Sequence, residues 1–353
     1  MSKAAICVVV PVYKAMATLD RCVESVLAQQ VEGGLTCILV DDGSPDESGA
    51  LCDAWAAKDG RVTVIHQDDL GVSGARNSGL AAADSEFIVF LDSDDALRPG
   101  ALQAALTAQR AAPQDFVVWH YTTDEKDPAA VTADAEPRTQ AGLARLWLDC
   151  LLAMPWNKLY RADLAKQLQF DVQYTLGEDL QFVLDYISLL GQMVPEFGYR
   201  VMTSPLTFYD CSRGGTLSTR YHANYCDIWP KHFAKLNAAC HAAACPAEDM
   251  RPLHRAELQV FAEGVADIMR RDPSPTQRLK GYKAEAALRS PWLRALLERM
   301  KIEHCYSAYY LPCRWRNVGL VCRVDEARRA NAPLYGKLDW AGYYLLLGKM
   351  KRD

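Results

Sequence analysis

The sequence predicts an α/β fold, with a mostly parallel sheet flanked by helices and a mainly helical C-terminal region. Short apolar runs rich in β-branched residues alternate with amphipathic segments over roughly the first 100 residues. Repeated βα units of this kind build parallel sheets covered by helices on both faces. Each early apolar run also ends in polar residues. Beyond Tyr221, apolar residues recur at helical spacing between prolines.

The first elements follow one another in strand–helix order. Residues 6–11 form a continuous apolar run that predicts a buried strand, and Thr18 is placed to cap a helix with one apolar face. A second buried strand is predicted at 37–40. The later predictions are a helix at 46–58, a strand at 62–65, a helix at 72–83, a strand at 87–91 and a helix opened by Pro99.

The alternating pattern loosens after about residue 112. Residues 124–140 are polar and predict a loop, whereas 143–152 and the segment opened by Glu178 and Asp179 predict helices. Five later prolines are interpreted as helix breaks: Pro246, Pro252, Pro273, Pro275 and Pro291. These changes predict two domains, residues 1–220 and a mainly helical region at 221–353.

Composition excludes several classes of protein. Half of the 353 residues are hydrophobic and 24% are charged, which is typical of a globular chain. No apolar run approaches the roughly 20 residues that span a bilayer. The N-terminus lacks the features of a signal peptide, so we expect a mature cytosolic start. The twelve cysteines include no CxxC pair, which favours reduced, mostly buried thiols over a zinc site or a disulfide scaffold.

The net charge of −5 conceals an asymmetry along the chain. From Arg251 onward there are 20 Lys and Arg against 11 Asp and Glu, a net charge of +9, and the preceding residues carry −14. A basic tail suits an anionic membrane surface or a phosphate-bearing acceptor. A solvated helical surface explains the same charges equally well.

Three carboxylates, Asp92, Asp94 and Asp95, follow the predicted strand at 87–91. Carboxylates this close repel one another unless a cation neutralises them. Their hard oxygen ligands suit Mg²⁺ or Mn²⁺, ions that also bridge phosphate oxygens. The alternative is an acidic helix N-terminus that uses one or two of the carboxylates as caps.

Other polar residues stand at comparable positions. Asp41, at the end of the second strand, could accept hydrogen bonds from a base or ribose, or could form an Asx turn with Gly43. Arg76, near the start of a helix, could reach phosphate or hold the carboxylates, or could be a surface arginine. Asp179 could serve as a general base or as a helix cap. Neither GxGxxG nor a Walker A motif occurs, which disfavours dehydrogenases and P-loop proteins.

Taken together, the motifs resemble the family 2 glycosyltransferases with the GT-A fold, a Rossmann-like sheet. The runs that carry this resemblance are VVVPVYKAMATLDRCVESVLAQQ, ILVDDGSPDESG, HQDDLGVSGARNSGL and FIVFLDSDDAL, and a weaker likeness continues through WNKLY and GEDLQF. The resemblance covers roughly the first 220 residues. Its motifs are specific as a set, although each alone is weak.

The resemblance implies roles for the matching residues. Pro11, Tyr13 and Asp41 would line the nucleotide pocket, with Tyr13 against the base and Asp41 on its polar edge. Arg76 would support the diphosphate. Asp69, together with Leu70, is a departure, because relatives commonly have Asn and Gly there, and this puts the usual base contact in doubt.

For the reacting centre, the resemblance implies a DxD motif formed by Asp92, Ser93 and Asp94. Asp94 would be the direct metal ligand, and Asp92 would lie near the ribose or the metal. Asp179 would be the catalytic base. Trp156 could stack on a sugar or belong to the core. Arg213, Arg220 or His222 would contact the diphosphate from a segment, 209–221, that resembles the family's region closing over the donor.

The implied activity is inverting transfer of a sugar from a nucleotide diphosphate sugar, with UDP favoured, to a hydroxyl of a glycan, polysaccharide or lipid-linked oligosaccharide. Mn²⁺ or Mg²⁺ would assist. Three interpretations compete with this one. A sugar-nucleotide pyrophosphorylase lacks support, because no glycine-rich loop follows the first strand. A phospho-acceptor receiver domain has its acidic residues after other strands, and a pseudoenzyme would bind a sugar nucleotide without turnover.

The partners expected are therefore a nucleotide-sugar donor and an acceptor, with no nucleic acid. The C-terminal region would orient the acceptor, contact the inner face of the membrane from the cytoplasm, or form a homo-oligomer. A short interfacial helix is predicted from residues 338–348 and the basic residues after them, with a packed terminal helix as the alternative.

Overall fold

The computed structural model describes residues 3–174, 176–212, 220–332 and Tyr335. The chain divides into two compact units, Met1–Gly214 and Gly215–Asp353. A hydrophobic cluster of buried residues lies in each unit. The predicted domain boundary after residue 220 falls close to this division. The segments predicted to contact the membrane, beyond residue 337, and Arg213 lie outside the described residues.

The first unit alternates strands and helices from its start. In chain order its elements are β1 (Ala4–Val12), α1 (Leu19–Leu27), β2 (Leu35–Asp42), α2 (Ser48–Lys58), β3 (Val62–Gln67), α3 (Gly71–Ala82), β4 (Ser85–Phe90), β5 (Ala96–Leu97), α4 (Ala101–Ala111), β6 (Phe116–Thr122), β7 (Ala135–Thr139), α5 (Leu143–Leu148), β8 (Lys158–Arg161), α6 (Ala162–Ala165), α7 (Glu178–Met193) and β9 (Gly198–Phe208).

The strands form one sheet in the order β3-β2-β1-β4-β8-β6-β9-β5, with β7 pairing β9. Strands β1 to β4 are mutually parallel, as the apolar runs predict. The other half is mixed, because β8 runs antiparallel to β4 and β6, and β5 and β7 run antiparallel to β9. The predicted α/β class is confirmed, and the mostly parallel arrangement holds for the half formed by β1 to β4.

Register in the parallel half aligns the ends of the strands. Val12 pairs with Asp41, and Asp41 pairs with His66. Because parallel strands present their carboxyl ends at one edge of a sheet, the loops that follow them converge there. The convergence predicted from the sequence therefore follows directly from the strand pairing.

Two local predictions for the first unit differ from the structure. The polar segment 124–140 was predicted as a loop, but it contains β7, which pairs with β9 along Ala135–Thr139. The side chains of β7 are half-buried or exposed, so its composition gives no buried-strand signal. Thr18 precedes α1 but its side chain makes no capping hydrogen bond to the helix.

The second unit, in the described residues, is helical as predicted. Its helices are α8 (Tyr225–Ala242), α9 (Ala247–Arg271), α10 (Gln277–Leu288), α11 (Pro291–Ile302), α12 (Tyr310–Arg314) and α13 (Val318–Arg329). Pro252 was predicted to break a helix but lies inside α9. It sits in the second turn, where a proline removes a single backbone hydrogen bond, and the rest of the helix continues. Among the described helices, none has both the length and the apolar character required to cross a bilayer.

Candidate active site

A buried arginine joins two carboxylates that are distant in the sequence. Arg76, on α3, donates from Nη1 to Asp179 Oδ1 at 2.5 Å and from Nη2 to Asp92 Oδ1 at 2.8 Å. Only 3% of Arg76 is exposed. A charge-assisted network with its cation buried is held more firmly than a surface ion pair. The residues predicted as base, metal ligand and phosphate contact therefore lie together.

The position of Arg76 follows from close packing of α3 on the sheet. Gly79, one turn further along α3, lies so near β1 that a Cβ there would be 2.3 Å from Val9 Cγ1. Asn77 donates to the carbonyl of Phe170 and accepts from its backbone N–H, both at 2.8 Å. Glycine at 79 lets the helix approach the sheet, and Asn77 fixes the segment that precedes α7.

Asp179 is positioned by aromatic packing beneath it. Phe182, one turn along α7, stacks on Phe170 with ring centroids 4.0 Å apart. Phe90, at the end of β4, meets both rings edge-on. Aromatic pairs in these geometries stabilise a fold beyond the area they bury. The three rings therefore fix the start of α7 relative to the strand end that carries Asp92.

The environment of Asp179 suits a group that exchanges a proton near neutral pH. Burial raises the pKa of Asp179 to about 7, Arg76 acts in the opposite direction, and Glu178 and Asp92 raise it further. About 30% of the side chain is exposed, so a molecule from solvent can reach it. A general base works best when its pKa lies near the working pH.

The turn after β4 carries three carboxyl groups, those of Asp92, Asp94 and Asp95. Asp95 is fully buried; one of its oxygens accepts from the backbone N–H of Asp210 at 3.0 Å and the other, Oδ2, has no hydrogen-bond partner. Burial, with Asp92 and Asp94, raises the pKa of Asp95 to about 9. A cation would favour ionisation of Asp95 and could contact its unpaired oxygen, so this turn fits a site for a divalent cation.

Arg21, on α1, ties this acidic turn to the segment after β9. It donates from Nη2 to the backbone carbonyl of Asp94 and to Asp210 Oδ2, both at 2.6 Å. Hydrogen bonds from Ser212 and, to a smaller extent, from Arg21 lower the pKa of the Asp210 carboxyl to about 2. Sequence reasoning missed Arg21, because nothing in its local pattern distinguishes it from a solvated helical arginine.

The residues predicted to bind the nucleotide lie along the edge formed by β1, β2 and β3. Pro11 is buried near the end of β1, whereas Tyr13, just beyond it, is 44% exposed. Asp41 Oδ1 accepts from the backbone N–H of Ser44 at 3.2 Å. The exposed Asp69 lies in the loop before α3 and accepts a hydrogen bond from the backbone N–H of Gly71 at 3.3 Å.

The WNKLY segment lies in the interior. Trp156 is 4% exposed and stacks on Tyr209 with centroids 5.4 Å apart, which favours its core interpretation over sugar stacking. The fully buried Lys158 donates to the carbonyls of Leu151 and Met154 and to Asn157 Oδ1, at 2.6 to 2.7 Å. Three acceptors match the three N–H groups of an ammonium, so Lys158 fixes the loop before β8.

Comparison with known proteins shows what the first unit is similar to. A family model described as glycosyl transferase family 2 matches residues 7–169. The glycosyltransferase GlyG of Streptococcus pneumoniae serotype 4 (strain ATCC BAA-334 / TIGR4) is 39% identical over 124 residues, which covers 35% of this chain and 41% of that protein. The chain spans about half or less of the length of this and other curated relatives. The predicted family resemblance is confirmed.

Solved structures share the fold at low sequence identity. The structure of S. aureus TarS 1-349 in complex with UDP-GlcNAc has a TM-score of 0.61 and 17% identity, over 93% of this chain and 92% of that one. The mannosyltransferase PcManGT from Pyrobaculum calidifontis, in complex with GDP-Man and Mn²⁺, has a TM-score of 0.50 and 17% identity, over 90% and 87% of the two chains. At this identity the likeness establishes the architecture alone.

Proposed function

We propose that this chain, whose residues 7–169 match a family model described as glycosyl transferase family 2, transfers a sugar, with inversion, from a nucleotide diphosphate sugar to an acceptor hydroxyl. The observation that carries the proposal is Arg76, whose guanidinium joins Asp179 to Asp92. It brings the proposed base beside the carboxylates proposed for the donor. UDP is the favoured nucleotide, and the acceptor is a glycan, polysaccharide or lipid-linked oligosaccharide.

Asp179 is the proposed general base. Its pKa of about 7 lets it accept the proton of the acceptor hydroxyl as that oxygen attacks the anomeric carbon. Attack from the face opposite the leaving nucleoside diphosphate inverts the anomeric configuration. Arg76 orients Asp179 and keeps part of its population ionised, because a neighbouring guanidinium favours the carboxylate form.

Asp92 and Asp94 are the proposed holders of Mn²⁺ or Mg²⁺. When bound, the ion offsets the charge that grows on the departing diphosphate. From the sequence, Arg76 could reach phosphate or hold the carboxylates, and the family resemblance implied that it supports the diphosphate. In the structure both of its terminal nitrogens contact carboxylates, which supports a role in holding Asp92 and Asp179 instead.

The remaining assignments complete the proposal. Tyr13 stacks on the base, with Pro11 behind it, Asp41 accepts from the base's polar edge, and Asp69 and Ser93 line the donor pocket. Arg220 and His222 belong to the second unit, and their contact with the diphosphate stays a prediction. We place the activity in the cytoplasm, with the basic second unit as the candidate for acceptor, membrane or oligomer contacts.

A donor screen tests this function. Nucleotide sugars are assayed with and without Mn²⁺ for thermal stabilisation of the protein and for release of nucleoside diphosphate. We expect a UDP-sugar to act, and the metal-dependent part of its effect to vanish in Asp94→Ala. Asp84→Asn, an exposed carboxylate before β4, is the matched control and should behave as wild type. Absence of any response across UDP, GDP, TDP and CDP sugars would refute the proposal.

A further inference from the structure

A histidine is held between two carboxylates at the nucleotide edge of the sheet. His66, near the end of β3, has Nδ1 3.0 Å from Asp41 Oδ2 and Nε2 3.0 Å from Asp53 Oδ1. Asp41 lies beside it on β2, and Asp53 comes from α2.

The arrangement selects one protonation state of the ring. An ionised carboxylate only accepts hydrogen bonds, and a neutral imidazole has a single N–H. Only the imidazolium can therefore donate to Asp41 and Asp53 at once. The hydrogen bonds to Asp53 and Asp41 accordingly raise the pKa of His66, and these are the two charged groups that face the ring from β2 and α2.

The same contacts fix the carboxylate of Asp41. His66 holds Oδ2 and the backbone N–H of Ser44 holds Oδ1, so the group cannot rotate freely. Although burial opposes it, hydrogen bonds from Ser44 and His66 lower the pKa of Asp41. Gly49 leaves the necessary space, since a Cβ there would lie 2.7 Å from Asp41 Oδ2.

We propose that His66 is a positioning residue for nucleobase recognition, which holds Asp41 as an ionised, oriented acceptor for a ring N–H of the base. This inference rests on the proposed function. A carboxylate oxygen has two lone pairs, so Asp41 can still accept from the base. Uracil and guanine present a ring N–H, whereas the corresponding nitrogen of cytosine is an acceptor. The clamp, by which we mean His66 held between Asp41 and Asp53, therefore favours binding of uracil-type or guanine-type donors over binding of CDP-sugars.

The clamp also gives nucleotide binding a pH dependence of defined sign. At pH values below the raised pKa of His66 the ring is an imidazolium, and in that pH range it holds Asp41 in place. As pH rises through that pKa, the ring loses a proton, one of its two hydrogen bonds fails, and the nucleotide binds more weakly.

The test measures the dissociation constants of uridine, UDP and CDP by calorimetry between pH 5.5 and 8.5. Wild type should bind UDP and uridine about tenfold more weakly at pH 8.5 than at pH 5.5, a difference of roughly 1.4 kcal/mol. At every pH it should bind CDP at least tenfold more weakly than UDP. His66→Gln should weaken UDP binding five- to tenfold at low pH and flatten the profile. It should raise KM and leave kcat unchanged. Ionisation of the UDP phosphate is common to both proteins and cancels in their difference.

Two further measurements separate positioning from a folding defect. Asp53→Asn should lower the midpoint of the His66 ring-proton titration seen by NMR and move the binding profile with it. Asp68→Asn, an exposed carboxylate in the loop after β3, is the matched control. If wild type binds UDP but His66→Gln keeps its affinity and pH profile, the inference about His66 is wrong. If wild type binds no nucleotide at any pH, the proposed function fails instead.

Discussion

Each unit of the chain buries a network of charged side chains, and the two networks differ in their balance of charge. In the first unit Arg76 meets Asp92 and Asp179, while Asp95 keeps a buried oxygen without a partner. In the second unit His254, Arg299 and Glu303 form a continuous chain of contacts. His254 Nδ1 lies 2.6 Å from Glu303 Oε2, and Arg299 Nη1 lies 3.3 Å from His254 Nε2.

The side chains of the second network form hydrogen bonds with one another. Asn237 donates to Glu257 Oε1 at 2.6 Å and lies 3.2 Å from His254, so helices α8 and α9 are joined through hydrogen bonds. His254, Glu303 and Cys305 each offer a possible metal-ligating atom, and these three atoms lie within 4.8 Å of one another. Arg299 already supplies a cation there. A balanced network holds helices together, whereas an excess of carboxylates indicates a place where a cation or a cationic transition state is stabilised.

The largest expected effect is on the chemistry of the first network. Asp179→Asn removes the proton acceptor but keeps the shape of the side chain. We expect kcat to fall about 10³-fold with donor affinity within about twofold of wild type. Initial rates of sugar transfer and calorimetric binding of UDP measure the two quantities. Glu178→Gln, the neighbouring acid on the same turn, is the control and should keep most activity; if the two variants lose activity equally, Asp179 has no special role.

Removing the shared cation should affect stability as well as activity. Arg76→Met leaves Asp92 and Asp179 partly buried without their partner, which should lower the free energy of unfolding by about 3 kcal/mol. Urea denaturation measures this loss. Arg76→Lys keeps the charge but cannot reach both carboxylates with separate nitrogens in the same fork, so it should recover part of the stability and little of the activity. Full activity in Arg76→Met would contradict the network.

The second network should respond in stability alone. Burial raises the pKa of Glu257 to about 8, with Asn237 and Arg299 opposing the rise and Glu303 adding to it. The folded state therefore retains the proton where the unfolded chain has lost it, so stability falls as pH rises from about 4.5 towards 8. Glu257→Gln should remove roughly 3 kcal/mol of this pH dependence. Unfolding free energies at pH 5 and pH 8 measure this pH dependence. A changed kcat in Glu257→Gln would contradict the distinction between the two networks.

The smallest expected effect concerns Arg21. Its side chain is 31% exposed, so the ion pair with Asp210 should contribute at most about 1 kcal/mol to stability. Arg21→Gln should loosen the carbonyl of Asp94 and raise KM for the donor a few-fold with kcat nearly unchanged. Arg110→Gln, a comparable ion pair with Glu32 on the surface, is the control. Equal kinetic behaviour of the two variants would place Arg21 outside the donor site.

The sequence predicted the first half of the fold well because β1 to β4 are continuous apolar runs whose polar ends must meet at one sheet edge. It could not predict β7, whose side chains are half-buried or exposed, or the antiparallel β8, which is buried but only four residues long. Strands this short depend on partners far away in the chain. The clustering of Arg76, Asp92 and Asp179 agreed with the family motifs. The contacts of His66 with Asp41 and Asp53, and of Arg21 with Asp210, depend on register and rotamers that a sequence pattern does not encode.

The stack of Phe170 on Phe182, with Phe90 at its edge, has a consequence for engineering. The rings support Asp179 from the interior, so its placement does not depend on the surface loops that would meet an acceptor. Exchanging those loops for others of similar length should alter which acceptor is used while the proton acceptor stays in place. If Asp179 is the base, as proposed, substrate scope and the placement of that base become separable in a library of loop variants built on this scaffold.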